Sequence, residues 1–176
     1  GETQNETEMV FRGRAAAMNA PVTFADSVYR CSLGSFSARK ATRSFRLTDL
    51  RTGVVLRGST PLGGEAQQKN IQTVAAAVEI LAVAFGLERE HFLAGMADVV
   101  ARTGLLGRWQ VLSRKPLVVC DTGHNREGLQ YVMRQIESIP RNRLHMVIGF
   151  VSDKDLSSVL PLFPRDAIFY FARASV

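Results

Sequence analysis

The chain has 176 residues, of which 46% are hydrophobic and 22% charged, and its net charge is +6. This composition is ordinary for a soluble globular protein and supplies enough apolar residues for a core. No apolar run approaches the roughly 20 residues of a membrane-spanning helix, and the polar, acidic segment 1–8 does not resemble a secretory signal.

The first 60 residues predict one short helix followed by strands. A weak apolar stripe predicts a helix over residues 6–18, and two apolar pieces predict strand at residues 22–24 and 28–29. Residues 44–48 alternate between polar and apolar side chains. A turn at Arg51-Thr52-Gly53 and the apolar run that starts at Val54 follow, which predicts a β-hairpin.

Two helices come next. Apolar residues recur at steps of three and four over residues 68–85, and Gly86 supplies the stop. Because the opposite side of this helix is also apolar, we expect it to be buried nearly all round. A second helix is predicted over residues 89–101, with its end at Thr103-Gly104. A domain boundary is then predicted between residues 105 and 106.

Beyond that boundary, strands and helices alternate regularly. Strands are predicted at residues 109–112, 117–120, 146–149 and 167–171, and helices at residues 125–138 and 153–160. Such alternation is typical of an α/β fold, in which crossover helices connect the strands of a parallel sheet.

A basic cluster and two cysteines limit the choice of partners. Residues 39–46 contain four Lys or Arg residues, so they are suited to nucleic acid or anionic metabolites. We favour the simpler interpretation of a solvated edge strand, because few aromatic residues are interleaved. The spacing of Cys31 and Cys120 indicates neither zinc nor a redox pair. Cys120 is expected to be a buried small hydrophobe, and a reducing, cytoplasmic setting fits.

The segment Asp121-Thr122-Gly123-His124-Asn125 is the strongest candidate for a binding site. It lies where a predicted strand ends and a helix begins, which is where α/β folds bind ligands and where helix N–H groups suit phosphate. Asp121 fits a ribose contact or a turn cap equally well. His124 is either a phosphate contact or a structural residue, and Asn125 is a candidate N-cap.

Three further positions have a functional and a structural interpretation. Arg108 lies near the domain boundary and is suited to phosphate, although an exposed Arg beside a packed Trp explains it too. Asn70 fits an adenine edge or a first-turn polar position. Lys154 is suited to a phosphate or the other domain, whereas Ser152 and Asp155 resemble a capping box. The chain has no Gly-x-x-x-x-Gly-Lys-Ser/Thr loop and no Cys/His cluster with metal spacing.

Four motifs in order resemble the folylpolyglutamate synthase/dihydrofolate synthase family of the Mur ligase superfamily. They are residues 62–70 (LGGEAQQKN), 107–110 (GRWQ), 121–125 (DTGHN) and 149–155 (GFVSDKD). The resemblance implies residues 1–105 as the back half of a central ATPase domain. It also implies residues 106–176 as the first part of a Rossmann-like C-terminal glutamate ligase domain. The chain would then be an internal fragment, inactive alone.

The resemblance also implies chemistry. Asn70 would contact adenine, Arg108 the phosphates and Asp121 the ribose, with His124 near the phosphates, and no catalytic residue or metal ligand is expected in the chain. ATP and Mg²⁺ would be the cofactors, with metal ligands outside it. Folate or dihydropteroate and L-glutamate would be the substrates of a monomeric enzyme with neither nucleic-acid nor membrane partners. Ala66, Gly123 and Arg126 depart from the family pattern, although the Arg126 cation still suits phosphate.

Two alternatives stay open. Another Mur-type ligase acting on a UDP-muramyl peptide shares the domain organisation, although the motifs at residues 107–110 and 153–155 favour folate. A non-catalytic nucleotide-binding module is consistent with the missing phosphate loop.

Overall fold

The computed structural model describes residues 1–150 and 156–173. The chain forms two compact units, Gly1–Cys120 and Asp121–Val176, and each has its own core. No helix in the described ranges has both the length and the apolar character needed to span a membrane.

An antiparallel sheet of three strands organises the first unit. Its strands are β1 (Tyr29–Ser37), β2 (Thr42–Asp49) and β3 (Val55–Thr60), in the spatial order β1-β2-β3. The predicted hairpin is confirmed as β2 and β3. The interpretation of the basic cluster as an edge strand was wrong, because β2 is central and Arg43 is only 7% exposed.

Four helices accompany this sheet: α1 (Glu8–Ala17), α2 (Ala25–Val28), α3 (Gln67–Phe85) and α4 (Arg89–Thr103). Because side chains alternate along a strand, one sheet face is apolar and packs against α3 and α4. The resulting core consists of Cys31, Phe45, Leu47, Ile71, Ala75, Phe92 and Met96. Gly86 and Gly104 end α3 and α4 in the left-handed conformation, as predicted.

Three expectations for the first unit were wrong. α3 is not buried all round, since Val83 is 93% and Phe85 71% exposed. The predicted strand at residues 22–24 is a coil that leads into α2, for which Phe24 is the N-cap. Of the predicted strand at residues 28–29, Val28 ends α2 and only Tyr29 belongs to a strand, as the first residue of β1. Cys120 is half-buried, and Cys31 is the buried cysteine.

The remaining elements are β4 (Gln110–Arg114), β5 (Leu117–Cys120), α5 (Arg126–Glu137), β6 (His145–Ile148) and β7 (Ile168–Phe171). β6 and β7 pair in parallel, which confirms the predicted α/β class with a parallel sheet. β4 and β5 instead pair with each other as an antiparallel hairpin. Leu129, Met133, Met146 and Val159 form the core of the second unit.

The helix predicted over residues 153–160 falls partly outside the described residues. From residue 156 onward the chain forms a turn and a 3-10 helix, Leu160–Leu162. Pro161 lies in this short helix. Because proline lacks a backbone N–H, an α-helix is disfavoured there.

Candidate functional site

The turn Gly107-Arg108-Trp109-Gln110 has an unusual backbone. Gly107 has φ 70° and Trp109 has φ 57°. A bulky side chain in the left-handed region is rare and costs about 1–3 kcal/mol, so it persists only where surrounding contacts impose it.

Contacts from the first unit impose this conformation. The Gly63 N–H donates to the Arg108 carbonyl at 3.1 Å, and the Gly107 N–H donates to Gln110 Oε1 at 3.1 Å. The Trp109 side chain is only 2% exposed. A Cβ at Gly63 would lie 2.9 Å from Trp109 Cδ1 and would collide with the Phe36 ring. Gly63 is therefore the floor of a socket for Trp109, and the exposed Arg108 side chain extends from a fixed backbone.

Asn70 lies in the first turn of α3, at the edge of an apolar groove between α3 and α4. Its Nδ2 donates to Oε1 of the buried Gln67 at 3.2 Å, which orients the amide. The groove has a volume of about 360 Å³ and is mostly apolar, with Leu62, Met96 and Leu105 among its lining residues. A concave apolar surface with one oriented amide is suited to a planar heterocycle such as adenine.

The segment Asp121–Asn125 is held by local hydrogen bonds. Asp121 Oδ1 accepts from the Gly123 N–H at 2.8 Å, and Asn125 Oδ1 accepts from the Gly128 N–H at 2.7 Å. Asn125 is thus the N-cap of α5, as predicted. The Asp121 carboxylate stabilises the turn itself, which is the capping role considered for it.

His124 and Arg126 flank this cap. The exposed His124 has Nδ1 3.2 Å from the Thr122 carbonyl oxygen, so a local contact orients its ring. The Arg126 guanidinium donates to the Ser158 carbonyl. Arg126 thereby connects the start of α5 to the segment before the 3-10 helix. The sequence analysis considered Arg126 only as a cation suited to phosphate and did not predict this structural contact.

The candidate residues fall into two groups. Asn70 and Arg108 belong to the first unit, whereas Asp121 and His124 belong to the second. Ser152, Lys154 and Asp155 lie outside the described residues.

Sequence reasoning missed the socket of Phe36, Gly63 and Trp109. Gly63 entered the sequence analysis only as part of the motif at residues 62–70.

Metal and thiol chemistry receive no support from the described residues. Within residues 1–150 and 156–173, no group of three or more His, Cys, Asp or Glu side chains is placed to hold a metal ion. Burial raises the pKa of the Cys31 thiol to about 11, so this cysteine is a weak nucleophile at neutral pH.

Comparison with known proteins decides the family of the C-terminal part. Residues 107–173 match the family model of the Mur ligase glutamate ligase domain. Residues 107–173 are therefore similar to a Mur ligase glutamate ligase domain. The match begins at Gly107, the first residue of the turn that carries Arg108. The predicted membership of the Mur ligase superfamily is therefore confirmed.

Two curated relatives show how the chain compares within this superfamily. It is 34% identical over 94 residues to an Escherichia coli dihydrofolate synthase/folylpolyglutamate synthase, covering 53% of this chain and 21% of that protein. It is 30% identical over 103 residues to a Streptomyces avermitilis UDP-N-acetylmuramoyl-L-alanyl-D-glutamate–2,6-diaminopimelate ligase, covering 58% and 19%. The chain thus spans about one fifth of the length of these relatives.

A solved structure supports the fold of both units. The structure of Escherichia coli FolC in complex with ADP matches 93% of this chain and 36% of its own chain, with a TM-score of 0.65 and 20% identity. At that identity the match establishes the fold of the Mur ligase segment.

Proposed function

We propose that the chain is part of an ATP-dependent ligase that joins L-glutamate to dihydropteroate or to a folate. In such a reaction the substrate carboxylate attacks the γ-phosphoryl group of ATP and ADP leaves. The glutamate amine then attacks the acyl phosphate, and phosphate leaves as the amide bond forms. The observation that carries this proposal is the match of residues 107–173 to a glutamate ligase domain.

The first unit supplies two of the proposed ATP contacts. Asn70 is proposed to bind the adenine edge, which its position on the apolar groove supports. Arg108 is proposed to bind the phosphates. Its support is the rigid turn, since a guanidinium on a fixed backbone loses less freedom when it forms bidentate hydrogen bonds to phosphate oxygens.

The second unit supplies the other two proposed contacts. Asp121 is proposed to accept hydrogen bonds from the ribose hydroxyls, and His124 to lie near the phosphates. The start of α5, with its positive dipole end, is suited to a phosphate. No catalytic residue and no Mg²⁺ ligand is assigned to the described part of the chain.

The domain organisation follows as part of the proposal. Residues 1–105 would belong to a central ATPase domain and residues 106–176 to the C-terminal domain. The start of the family match at Gly107 supports this boundary. The β4–β5 hairpin nevertheless packs with the first compact unit, which ends at Cys120. We therefore propose that residues 107–120 are a connector that starts the C-terminal domain in sequence while packing against the first unit.

Replacing Arg108 tests the proposal directly. In the ligase that carries this chain, Arg108→Ala should lower glutamate-dependent ADP release by roughly 100-fold or more, because a charged hydrogen-bond donor to the transferring phosphoryl group is lost. Arg102→Ala, at an exposed position of α4 that pairs with Asp98, is the matched control. Equal turnover of both variants would contradict the role of Arg108.

A competition experiment separates the two ligase functions. The similarity to the Streptomyces avermitilis ligase supports a cell-wall ligase as the second candidate function. Stimulation of ADP release by dihydropteroate and glutamate, but not by a UDP-muramyl peptide with diaminopimelate, would support the folate function. The reverse result would assign the chain to the cell-wall ligases.

A further inference from the structure

The outer face of the three-stranded sheet, opposite α3 and α4, is a regular polar surface. The strand register aligns Ser32, Arg46 and Arg57 in one row across β1, β2 and β3. The neighbouring row consists of Arg30, Thr48 and Val55, and on the other side Ser44 pairs with Ser59. We call these eight positions the outer arginine face: the three arginines together with Ser32, Ser44, Thr48, Val55 and Ser59.

Like charges meet directly on this face. Arg46 on the central strand is the register partner of Arg57, and Arg30 lies diagonally across from Arg46. Directly opposite residues have Cβ atoms about 4.5–5.5 Å apart, and like charges at that separation destabilise a sheet. In the described ranges, no ion pair or side-chain hydrogen bond joins these three arginines to another residue.

At the turn between β2 and β3, by contrast, two carboxylates neutralise an arginine. Arg51 Nη1 lies 2.8 Å from Glu79 Oε1, and Arg51 Nη2 lies 2.8 Å from Asp49 Oδ2. No carboxylate occupies any of the eight positions of the outer arginine face. The mutual repulsion of the three arginines therefore favours the binding of an anion that comes from outside the face.

We propose that the outer arginine face binds the poly-γ-glutamate tail of a folate, an inference that rests on the proposed function. A γ-linked glutamate chain presents one free α-carboxylate for each residue. Three neighbouring guanidinium groups match a row of carboxylates, and each can form a bidentate pair. The hydroxyls of Ser32, Ser44 and Ser59 add donors. A longer tail engages more arginines at once, so affinity rises with tail length.

The composition of the face favours carboxylates over nucleic acid. Sequence-tolerant binding of single strands relies on aromatic side chains on which bases stack. None of the eight positions of the outer arginine face is aromatic. Phe36 is the register partner of the buried Arg43, so it belongs to the opposite side of the sheet.

Direct binding to the 176-residue chain tests the proposal. Fluorescein-labelled penta-γ-glutamate should bind in anisotropy titrations at low salt, and labelled glutamate should bind at least about tenfold more weakly, because only one arginine is engaged. Arg46→Glu and Arg57→Glu should each weaken pentaglutamate binding by about tenfold or more, because each removes a charged hydrogen-bond donor and adds a repelling carboxylate.

Arg89→Glu is the matched control, because it changes the net charge equally but lies at the first residue of α4. It should weaken pentaglutamate binding much less than the two outer-face variants do, because it changes only the long-range charge and removes no arginine of the face. A circular dichroism melt of each variant separates lost binding from lost folding.

Three results would overturn the proposal. They are no binding at low salt, equal losses in Arg46→Glu and Arg89→Glu, and equally tight binding of a single-stranded DNA of the same charge. Its failure can be told apart from failure of the proposed function. Tail binding is measured without turnover, whereas the Arg108→Ala experiment measures ADP release without reference to the sheet.

Discussion

The two faces of the three-stranded sheet differ in their side chains and in their effect on stability. The face toward α3 and α4 buries Cys31, Phe45 and Leu47 in a continuous core. The outer face presents Arg30, Arg46 and Arg57, which raise the electrostatic energy of the fold. A chain selected for stability alone has no reason to keep like charges in register. The difference indicates that one face maintains the fold and the other is available for binding.

The largest expected effect is on the buried side. Trp109→Ala should destabilise the first unit by about 3–5 kcal/mol, because it empties the socket beside Gly63 and Phe36. Urea unfolding followed by circular dichroism measures this loss. Phe85→Ala, at a 71% exposed position on α3, is the control. Similar losses in both variants would show that the socket adds no stability.

Adding a methyl group at Gly63 should also destabilise the first unit, but by less than Trp109→Ala. Gly63→Ala places a methyl group against Trp109 and Phe36, and overpacking of this kind costs about 1–3 kcal/mol. Gly95→Ala is a matched control within α4, where a Cβ would meet nothing within 4 Å. That control should gain about 0.5–1 kcal/mol, since alanine favours a helix interior. Equal effects in hydrogen exchange would contradict the close contact at Gly63.

The ion pair between Asp49 and Arg51 predicts that the fold loses stability in acid. Hydrogen bonds from Arg51 hold the pKa of the Asp49 carboxyl well below its usual range. A lowered folded-state pKa adds stability above the unfolded-state pKa of about 4, and this stability is lost as the pH falls further. The melting temperature should therefore fall between about pH 5 and pH 2, and Asp49→Asn should flatten part of that slope. An unchanged slope would remove Asp49 from the acid response.

The smallest expected effect is on the outer face. Arg46→Glu replaces a repelling cross-strand pair with an attracting one, so the free energy of unfolding should rise by about 0.2–1 kcal/mol. Arg57→Glu should do the same. The double variant restores a like-charge pair and should lose both gains. Additive gains in this double-mutant cycle would show that the two side chains do not interact.

Local signals made part of this arrangement predictable. Alternation over Ser44–Thr48 and the glycine turn identified the β2–β3 hairpin, and Gly86 and Gly104 marked two helix ends. Asn125 was identified as an N-cap for the same reason, because its partner Gly128 lies three residues away. Features decided within a few residues are visible in a single sequence.

Long-range pairing was not predictable in the same way. β1 contains Gly34 and Ser35, which have low strand propensity, so the strand beside β2 was mostly missed. Without β1, β2 was assigned to an edge and the adjacency of Arg30 and Arg46 was hidden. The left-handed Trp109 was hidden too, because contacts with residues more than 40 positions away impose it.

The turn of Trp109 has a practical consequence. The chain contains one tryptophan, and it directly follows Arg108. Intrinsic tryptophan fluorescence therefore comes from a single indole, next to the side chain that we propose contacts the nucleotide. A shift in its emission on adding ATP, absent in Arg108→Ala, would report occupancy of that position without an attached dye.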